Sequence, residues 1–324
     1  MAEPSHRSSR AIVTRMLRWC KWALLAVWAM HSFQSGSKPV DTRAMEAAIH
    51  QFDGEVGLAA IDLSSRREVR INADTPFPTA SAIKTAVMIE AYHQAAEGTI
   101  SLEDSMVLRR SDSVGGSGVL KGMSDGTALK VRDLVHLMIV LSDNTATNML
   151  VTRLGTRRID ARLESYGLKR TKIFRPTFRD GRPDIHPDLE REYGLGMSTP
   201  GEMARLMAAI AEGRAVNAEA SAAMLATLQA QTDRSMIPRL LPSHVRVGNK
   251  TGTDSEKLPD SQGRRGAIRT DAAIVTAEGI RYTIAIFVRR AADGGGGVDN
   301  AAVRLGAELS KMVYDAFAGQ HPTR

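Results

Sequence analysis

Short apolar blocks near both ends of the chain predict β-strands. Near the beginning, VGLAAIDL and REVRINA are separated by the polar tripeptide SSR, which is typical of a hairpin. Near the end, SHVRVGNKTG, IRTDAAIVTA and IRYTIAIFVRR are predicted to form three more strands. Before the first strand we expect a helix that Asp41 or Thr42 caps and that Gly54 ends. The two ends therefore supply five strands.

The middle of the chain, from about Leu102 to Leu228, has apolar residues at helical spacing instead. In the segment TPGEMARLM, Thr199 is placed to cap a helix that has Pro200 at its first position. Glu202 follows three residues after the cap, as in a capping box. A last helix is predicted from about Asn300 to Phe317. The central part of the chain is thus mainly helical.

The order of strands, helical block, strands and helix indicates an α+β fold with one antiparallel sheet built from both chain ends. We expect residues 37–324 to form one domain. Its α/β lobe is predicted at about 41–76 and 240–320, and an inserted helical lobe at about 77–239. Within that lobe, the polar stretch 175–198 contains several prolines and glycines and is predicted to be a loop, whose length is typical of a functional or a disordered loop.

Residues 1–36 have the order of regions found in a signal peptide or a short N-terminal anchor. A basic segment precedes the short apolar run ALLAVWAM, and a polar segment with small residues follows. The apolar run is too short to span a bilayer on its own. We therefore expect an exported protein, periplasmic or secreted, that meets a membrane only through this leader.

Charge and rare residue types argue against several other functions. The formal net charge is +7, but the leader alone carries +4, with five basic residues against one acidic residue. No long basic stripe interleaved with aromatic residues is present, so we do not expect nucleic acid as a partner. The single cysteine lies in the leader, and the histidines have no ligand spacing. We therefore expect no metal and no other cofactor.

The segment FPTASAIKTAVMIEAYHQAAEG, residues 77–98, is predicted to be a helix that is apolar on nearly every side. Lys84 nevertheless lies in its first turn, three residues after Ser81, so that the two side chains share one helical face. A desolvated lysine near other cations can lose its proton and act as a base toward such a serine. A lysine whose amine extends to the surface is the alternative interpretation.

Two further motifs carry groups that suit the same chemistry. The tripeptide SDN at 142–144 follows an apolar helical run, where it either breaks and caps a helix or supplies a hydroxyl and an amide to a site. The tripeptide KTG at 250–252 ends a predicted strand. Its lysine can attract a carboxylate and its glycine permits close approach of a ligand, whereas an ordinary strand end with a solvated lysine is the alternative.

The three motifs occur in a defined order, with the SDN serine 61 residues after Ser81 and the KTG lysine 108 residues after that. The chain thereby resembles the active-site serine, penicillin-recognising enzymes, and class A β-lactamases most closely. The segments LMIVLSDNTATNML and GMSTPGEMARLM are similar to family segments, and the resemblance runs from about Ala44 to Phe317. It implies a β-lactamase-like fold, in which an antiparallel sheet flanked by helices lies beside a helical lobe.

The resemblance also implies roles for the first two motifs. Ser81 is expected to be the nucleophile that forms an acyl-enzyme, and Lys84 its base or part of the proton path. Ser142 is expected to relay a proton toward the leaving nitrogen. Asn144 is expected to contact both Lys84 and the substrate amide.

The third motif is expected to bind substrate. The resemblance implies that Lys250 and Thr251 hold the substrate carboxylate, while Gly252 lets the substrate or another backbone approach. The backbone N–H groups of Ser81 and Thr253 are expected to form the oxyanion hole. The implied partner is a small molecule, either a β-lactam or an acyl-D-Ala-D-Ala-like compound, and we expect a monomer.

One feature of class A β-lactamases is missing from this sequence. Those enzymes carry a glutamate within a Glu-x-x-x-Asn pattern on the long loop, and it activates the water that releases the acyl group. The loop here has no such pattern, but it has five carboxylates that are candidates: Asp180, Asp184, Asp188, Glu190 and Glu192. Each has the alternative of being a solvated loop charge. A β-lactamase, a penicillin-binding D,D-peptidase or esterase, and a β-lactam-binding protein without turnover therefore remain distinct hypotheses.

Overall fold

The computed structural model describes residues 40–259 and 261–319, and its centre is a five-stranded sheet. The strands are β1 Glu55–Asp62, β2 Glu68–Ile71, β8 Arg246–Ser255, β9 Ala267–Ala277 and β10 Ile280–Ala291. Their order across the sheet is β2-β1-β10-β9-β8, and every neighbouring pair is antiparallel. The predicted α+β class and the antiparallel sheet from both chain ends are confirmed.

Helices surround this sheet and fill the middle of the chain. In the described residues they are α1 Arg43–His50, α2 Lys84–Ala96, α3 Val131–Val140, α4 Asn144–Leu154, α5 Thr156–Ser165, α6 Pro187–Tyr193, α7 Pro200–Ala211, α8 Ala218–Gln229 and α9 Ala301–Ala318. Five short strands form two minor sheets: β3 Phe77–Pro78, β6 Lys172–Ile173 and β7 Gly196–Ser198 in one, and β4 Ser105–Val107 and β5 Ala128–Lys130 in the other.

Both faces of the main sheet are covered, which explains why its strands read as nearly continuous apolar runs. Val56, Leu58 and Ala60 of β1 belong to a cluster that includes side chains of α1 and α9. Ala59, between them, belongs to the cluster formed with α2, α3, α4, α7 and α8. Alternate residues of a strand point to opposite faces, so two separate cores are buried by one sheet.

Helix α2 runs through the larger of these cores. Nine of its 13 residues are buried, among them Lys84 at its start. The predicted helix over 77–98 is corrected at its beginning, because Phe77–Pro78 pair with β7 and Ala80–Ile83 form a 3-10 turn. The 3-10 turn places Ser81 in the connection that leads into α2.

The predicted Thr199 cap is confirmed, whereas the Glu202 carboxylate accepts from Arg170 and Thr171 instead of completing a capping box. Thr199 Oγ1 accepts a hydrogen bond from the Glu202 amide at 3.0 Å, and Asn300 Oδ1 accepts from the first turn of α9. Near the beginning of the chain, the predicted end of the first helix is wrong by four residues, since α1 ends at His50 rather than at Gly54. The predicted loop 175–198 also contains α6 and β7.

Some expectations from the sequence are left untested by this fold. The leader, residues 1–36, lies outside the described residues. The lobe boundaries at about 77 and 239 stay a prediction. Of the helices in residues 40–259 and 261–319, none is both long and apolar enough to span a membrane.

Candidate active site

Ser81 lies at the turn between β3 and α2, where the backbone is held in an uncommon conformation. The preceding residue, Ala80, has φ +44°, in the left-handed region that residues with a side chain seldom adopt. Ser81 is half-buried, while Ala82 and Ile83 after it are fully buried. Within the described part of the chain, the Ser81 hydroxyl has no hydrogen-bond partner. The hydroxyl is thus available to an incoming group.

Lys84 is completely buried and is surrounded by groups of the SDN motif. Its Nζ donates to the backbone oxygen of Ser142 at 2.8 Å, to Ser142 Oγ at 3.1 Å and to Asn144 Oδ1 at 2.8 Å. Ser142 has φ +52°, a left-handed conformation in which both of its oxygens contact this amine. The alternative interpretation, in which the lysine extends to the surface, is wrong.

Burial changes the protonation of this amine. It lowers the pKa of Lys84 well below the usual value of 10.5, because the charged form loses its water. The positive charge of Lys250 lowers the pKa of Lys84 further, and the carboxylate of Asp143 acts in the opposite direction. Burial thus favours the neutral form of the Lys84 amine.

Lys250 is the second buried lysine of the site. Its Nζ donates to the Thr251 carbonyl at 2.7 Å. Burial lowers the pKa of Lys250 to about 8, while the carboxylates of Asp271 and Asp233 oppose that shift. With a pKa of about 8, the Lys250 amine still carries most of its positive charge at neutral pH. It can therefore attract an anionic group.

Strand β8 approaches the Ser81 turn closely because position 252 is glycine. A Cβ on Gly252 would lie 2.6 Å from the Thr79 carbonyl oxygen and 2.8 Å from the Ser81 nitrogen. Thr270 Oγ1 on β9 donates to the same Thr79 oxygen at 2.8 Å. Thr251 is buried beside the glycine and Thr253 is exposed. The KTG motif thus lies inside β8, against the backbone of Ser81, rather than at the end of the strand.

Asp143 joins the SDN motif to the loop that precedes α3, a connection that no sequence pattern indicated. Its Oδ1 caps α4 by accepting from the Ala146 amide at 2.9 Å, which is the capping role considered for this motif. Its Oδ2 accepts from the amides of Val119 and Leu120 at 2.7 and 2.9 Å. The capping interpretation therefore applies to Asp143, whereas Ser142 and Asn144 contact Lys84.

The loop 113–120 also lies directly against Asn144. The Asn144 Nδ2 donates to the Gly115 carbonyl at 3.1 Å, and the Asn144 backbone amide donates to the Ser117 carbonyl at 3.1 Å. A Cβ on Gly116 would lie 2.6 Å from Asn144 Nδ2. Small residues in this loop therefore let it pack onto the side-chain amide that contacts Lys84.

The five loop carboxylates are directed elsewhere. Glu190 is buried and accepts from Arg175 Nε at 2.7 Å, and Asp180 pairs with the same guanidinium. Asp184 Oδ2 accepts from Thr156 Oγ1 at 2.6 Å. The remaining two are Glu192, which lies 3.8 Å from Arg289 Nη1, and Asp188, which is exposed in the first turn of α6. In the described residues, none of the five has a hydrogen bond to Ser81, Lys84 or Asn144.

Thr177 is the loop residue that is held on α4, the helix that begins at Asn144. Asn148, one helical turn after Asn144 on α4, accepts from the Thr177 amide at 2.7 Å and from Thr177 Oγ1 at 2.9 Å. The Asn148 Nδ2 donates back to the Thr177 carbonyl at 3.1 Å. The loop thus begins beside the site with a buried threonine. Its partner lies 29 residues away, and no local pattern in the sequence indicated this pair.

Comparisons with known proteins agree with this geometry. A family model described as the β-lactamase enzyme family matches residues 42–317. The chain is 23% identical over 276 residues to the extended-spectrum β-lactamase PER-1 of Pseudomonas aeruginosa, a match that covers 83% of this chain and 86% of that protein. It is 27% identical over 224 residues to β-lactamase L2 of Stenotrophomonas maltophilia, a match that covers 67% of this chain and 69% of that protein.

Solved structures show the same similarity. The β-lactamase from Sphaerobacter thermophilus superposes with a TM-score of 0.72 at 29% identity, over 87% of this chain and 100% of that chain. PBP-A superposes with a TM-score of 0.73 at 23% identity, over 87% of this chain and 99% of that chain. At that lower identity the likeness to PBP-A concerns the fold alone.

The three amides that donate to Asp143 lead to a prediction about stability. Asp143→Ala leaves these amides without their partner, and two of them lie in the loop 113–120. The substitution is expected to lower the free energy of unfolding by about 3 kcal/mol. Urea unfolding measures the change. Asn217→Ala is the matched control, because Asn217 caps exposed α8 through the Ala220 amide alone, and about 1 kcal/mol is expected there. Equal losses in the two variants would contradict the role of Asp143 as a link between loop and helix.

Proposed function

The chain belongs to the β-lactamase enzyme family, and on this basis we propose that it is an active-site serine hydrolase that opens β-lactam rings through an acyl-enzyme. The observation that carries the proposal is the buried amine of Lys84, three residues after Ser81, which Ser142 and Asn144 hold by hydrogen bonds. Burying an amine is costly, so a desolvated lysine at the start of a core helix would not benefit a family member that lacked the acylation chemistry.

The proposed acylation uses each of these groups once. Ser81 Oγ attacks the lactam carbonyl while its proton moves to the neutral amine of Lys84. The backbone N–H groups of Ser81 and Thr253 stabilise the oxyanion. The proton then passes through Ser142 to the lactam nitrogen as the C–N bond breaks, which leaves an ester on Ser81. The short distance of 3.1 Å between Lys84 Nζ and Ser142 Oγ supports this proton path.

Substrate binding is proposed along β8. Lys250 and Thr251 would hold the carboxylate of the substrate, because the buried Lys250 retains a positive charge that a carboxylate can neutralise. Gly252 keeps the strand close to Ser81. Asn144 would bind the amide of the acyl side chain through one N–H of its Nδ2, whose other N–H donates to the Gly115 carbonyl.

Release of the acyl group is proposed to be slow. The loop residue beside α4 is Thr177, which has no basic group, and the loop carboxylates engage arginines, a threonine or solvent. The second candidate function, a penicillin-binding D,D-peptidase, is favoured by this same observation, because it needs acylation without rapid hydrolysis of β-lactams. One similar solved structure, of a PBP-A mutant, is an acyl-enzyme complex with penicillin G.

The site of action is proposed from the leader. Residues 1–36 have the region order of an export signal, so the enzyme would act in the periplasm or outside the cell, as a monomer. Its substrates would then meet it outside the cytoplasm.

Mass spectrometry tests the proposed nucleophile. Incubation with benzylpenicillin is expected to add the mass of one molecule to the protein, on the peptide that contains Ser81, because ring opening on a serine loses no atoms. Ser81→Ala is expected to show no adduct. The control is Ser165→Ala, an exposed serine at the end of α5, which should be acylated like wild type. An adduct that persists in Ser81→Ala, or none in wild type, would overturn the proposal.

Substitution of the loop residue Thr177 tests whether slow deacylation reflects a missing base. Thr177→Glu places a carboxylate beside α4 while the two backbone bonds to Asn148 can remain, and it is expected to speed deacylation by at least about tenfold through general-base catalysis. Thr177→Gln has nearly the same shape without a base and is expected to deacylate like wild type. Decay of the acyl-enzyme after removal of free benzylpenicillin measures the rate. Wild-type deacylation in both variants, or equal acceleration in both, would count against a missing base at this position.

A further inference from the structure

Phe178 follows Thr177 and is unusual in both its exposure and its backbone. Its side chain is 57% exposed, the highest value among the exposed large hydrophobic side chains of the described residues. Its φ is +56°, in the left-handed region, which costs a bulky residue about 1–3 kcal/mol. Neither the exposure of the side chain nor the strained backbone stabilises the protein. The surroundings of Phe178 must therefore explain why a phenylalanine is present at this position.

The contacts of Phe178 place its ring beside the reactive groups. Its anchor is Thr177, which Asn148 holds through three hydrogen bonds. The edge of the ring faces Gly116, where a Cβ would lie 2.9 Å from Phe178 Cζ. The same Cβ would lie 2.6 Å from Asn144 Nδ2. One small residue thus separates the exposed ring from the amide of Asn144.

The glycine is what permits this arrangement. Gly116 has φ +74° and lies between the Phe178 ring and the Asn144 side chain, so any larger residue would push one of them away. The loop 113–120 and the loop 175–198 therefore meet at this point, and Phe178 forms an apolar wall next to the amide group of Asn144. The part of the ring that does not face Gly116 is exposed, and it is open to solvent or to a ligand.

We propose that Phe178 is a specificity-determining residue that contacts the acyl side chain of the substrate and favours aromatic side chains. This inference rests on the proposed function, in which Asn144 binds the amide that carries this side chain. The substituent beyond that amide then extends toward the ring of Phe178. Two aromatic rings attract each other in edge-to-face or offset arrangements, and burial of the exposed ring adds to the effect.

The test compares two substrates that differ only in the acyl side chain. Benzylpenicillin carries an aromatic phenylacetyl group, and 6-acetamidopenicillanic acid has the same ring system and amide with only an acetyl group. The second-order rate constant of acylation is measured for each by stopped-flow or intact mass. Phe178→Ala is expected to lower the ratio of the two constants, benzylpenicillin over 6-acetamidopenicillanic acid, by about tenfold.

Two further variants make the result specific to the aromatic ring. Phe178→Tyr keeps the ring and is expected to keep the wild-type ratio. Leu240→Ala is the control, because it removes a comparably exposed apolar side chain whose neighbour, Leu241, packs on the other face of the main sheet. It is expected to keep the wild-type ratio as well. Thermal unfolding of each variant confirms that it is folded.

The possible outcomes separate this inference from the proposed function. An unchanged ratio in Phe178→Ala, or the same fall in Phe178→Tyr, overturns the role of the aromatic ring, while acylation of wild type by 6-acetamidopenicillanic acid still supports the serine hydrolase. No acylation of wild type by either compound overturns the proposed function, and this inference with it.

Discussion

The structure depends on one constraint, which is that a lysine amine is buried at the start of the central helix. A buried ammonium group without partners is strongly destabilising, and Lys84 has three acceptors, all from the SDN motif. Those partners tie α2 to the beginning of α4 across about 60 residues of chain. The same burial lowers the pKa of the amine, so that one arrangement satisfies the fold and favours the neutral form that the proposed base requires.

Other parts of the molecule keep this arrangement in place. Asp143 fixes the SDN motif from behind by accepting hydrogen bonds from amides of α4 and of the adjoining loop. Gly252 lets β8 reach the backbone of Ser81, and Lys250 brings a second positive charge that disfavours protonation of Lys84. The sheet supplies the rigidity, since both of its faces are packed. The loop that closes the site on the remaining side carries Thr177 and Phe178 in place of a basic group.

Much of the fold could be predicted because it is encoded locally. The hairpin of β1 and β2 and the Thr199 cap each depend on residues within a few positions of one another. The grouping of the SDN motif around Lys84 was predictable only through the order of the three motifs. The Asn148–Thr177 pair and the packing of Phe178 on Gly116 were not, because they join segments that are distant in sequence and have no periodic signal. The helix α6 was missed because it is short and begins at a proline inside a polar stretch.

The most direct test of the central claim is the titration of the Lys84 amine itself. Protein labelled with 13C at the lysine ε-carbon is followed by NMR across pH, and the Lys84 resonance is identified by its absence in Lys84→Arg. We predict that this carbon titrates well below the usual lysine value of 10.5. A Lys84 resonance that remains at its protonated position until the pH approaches 10.5 would contradict the role of Lys84 as a prepared base.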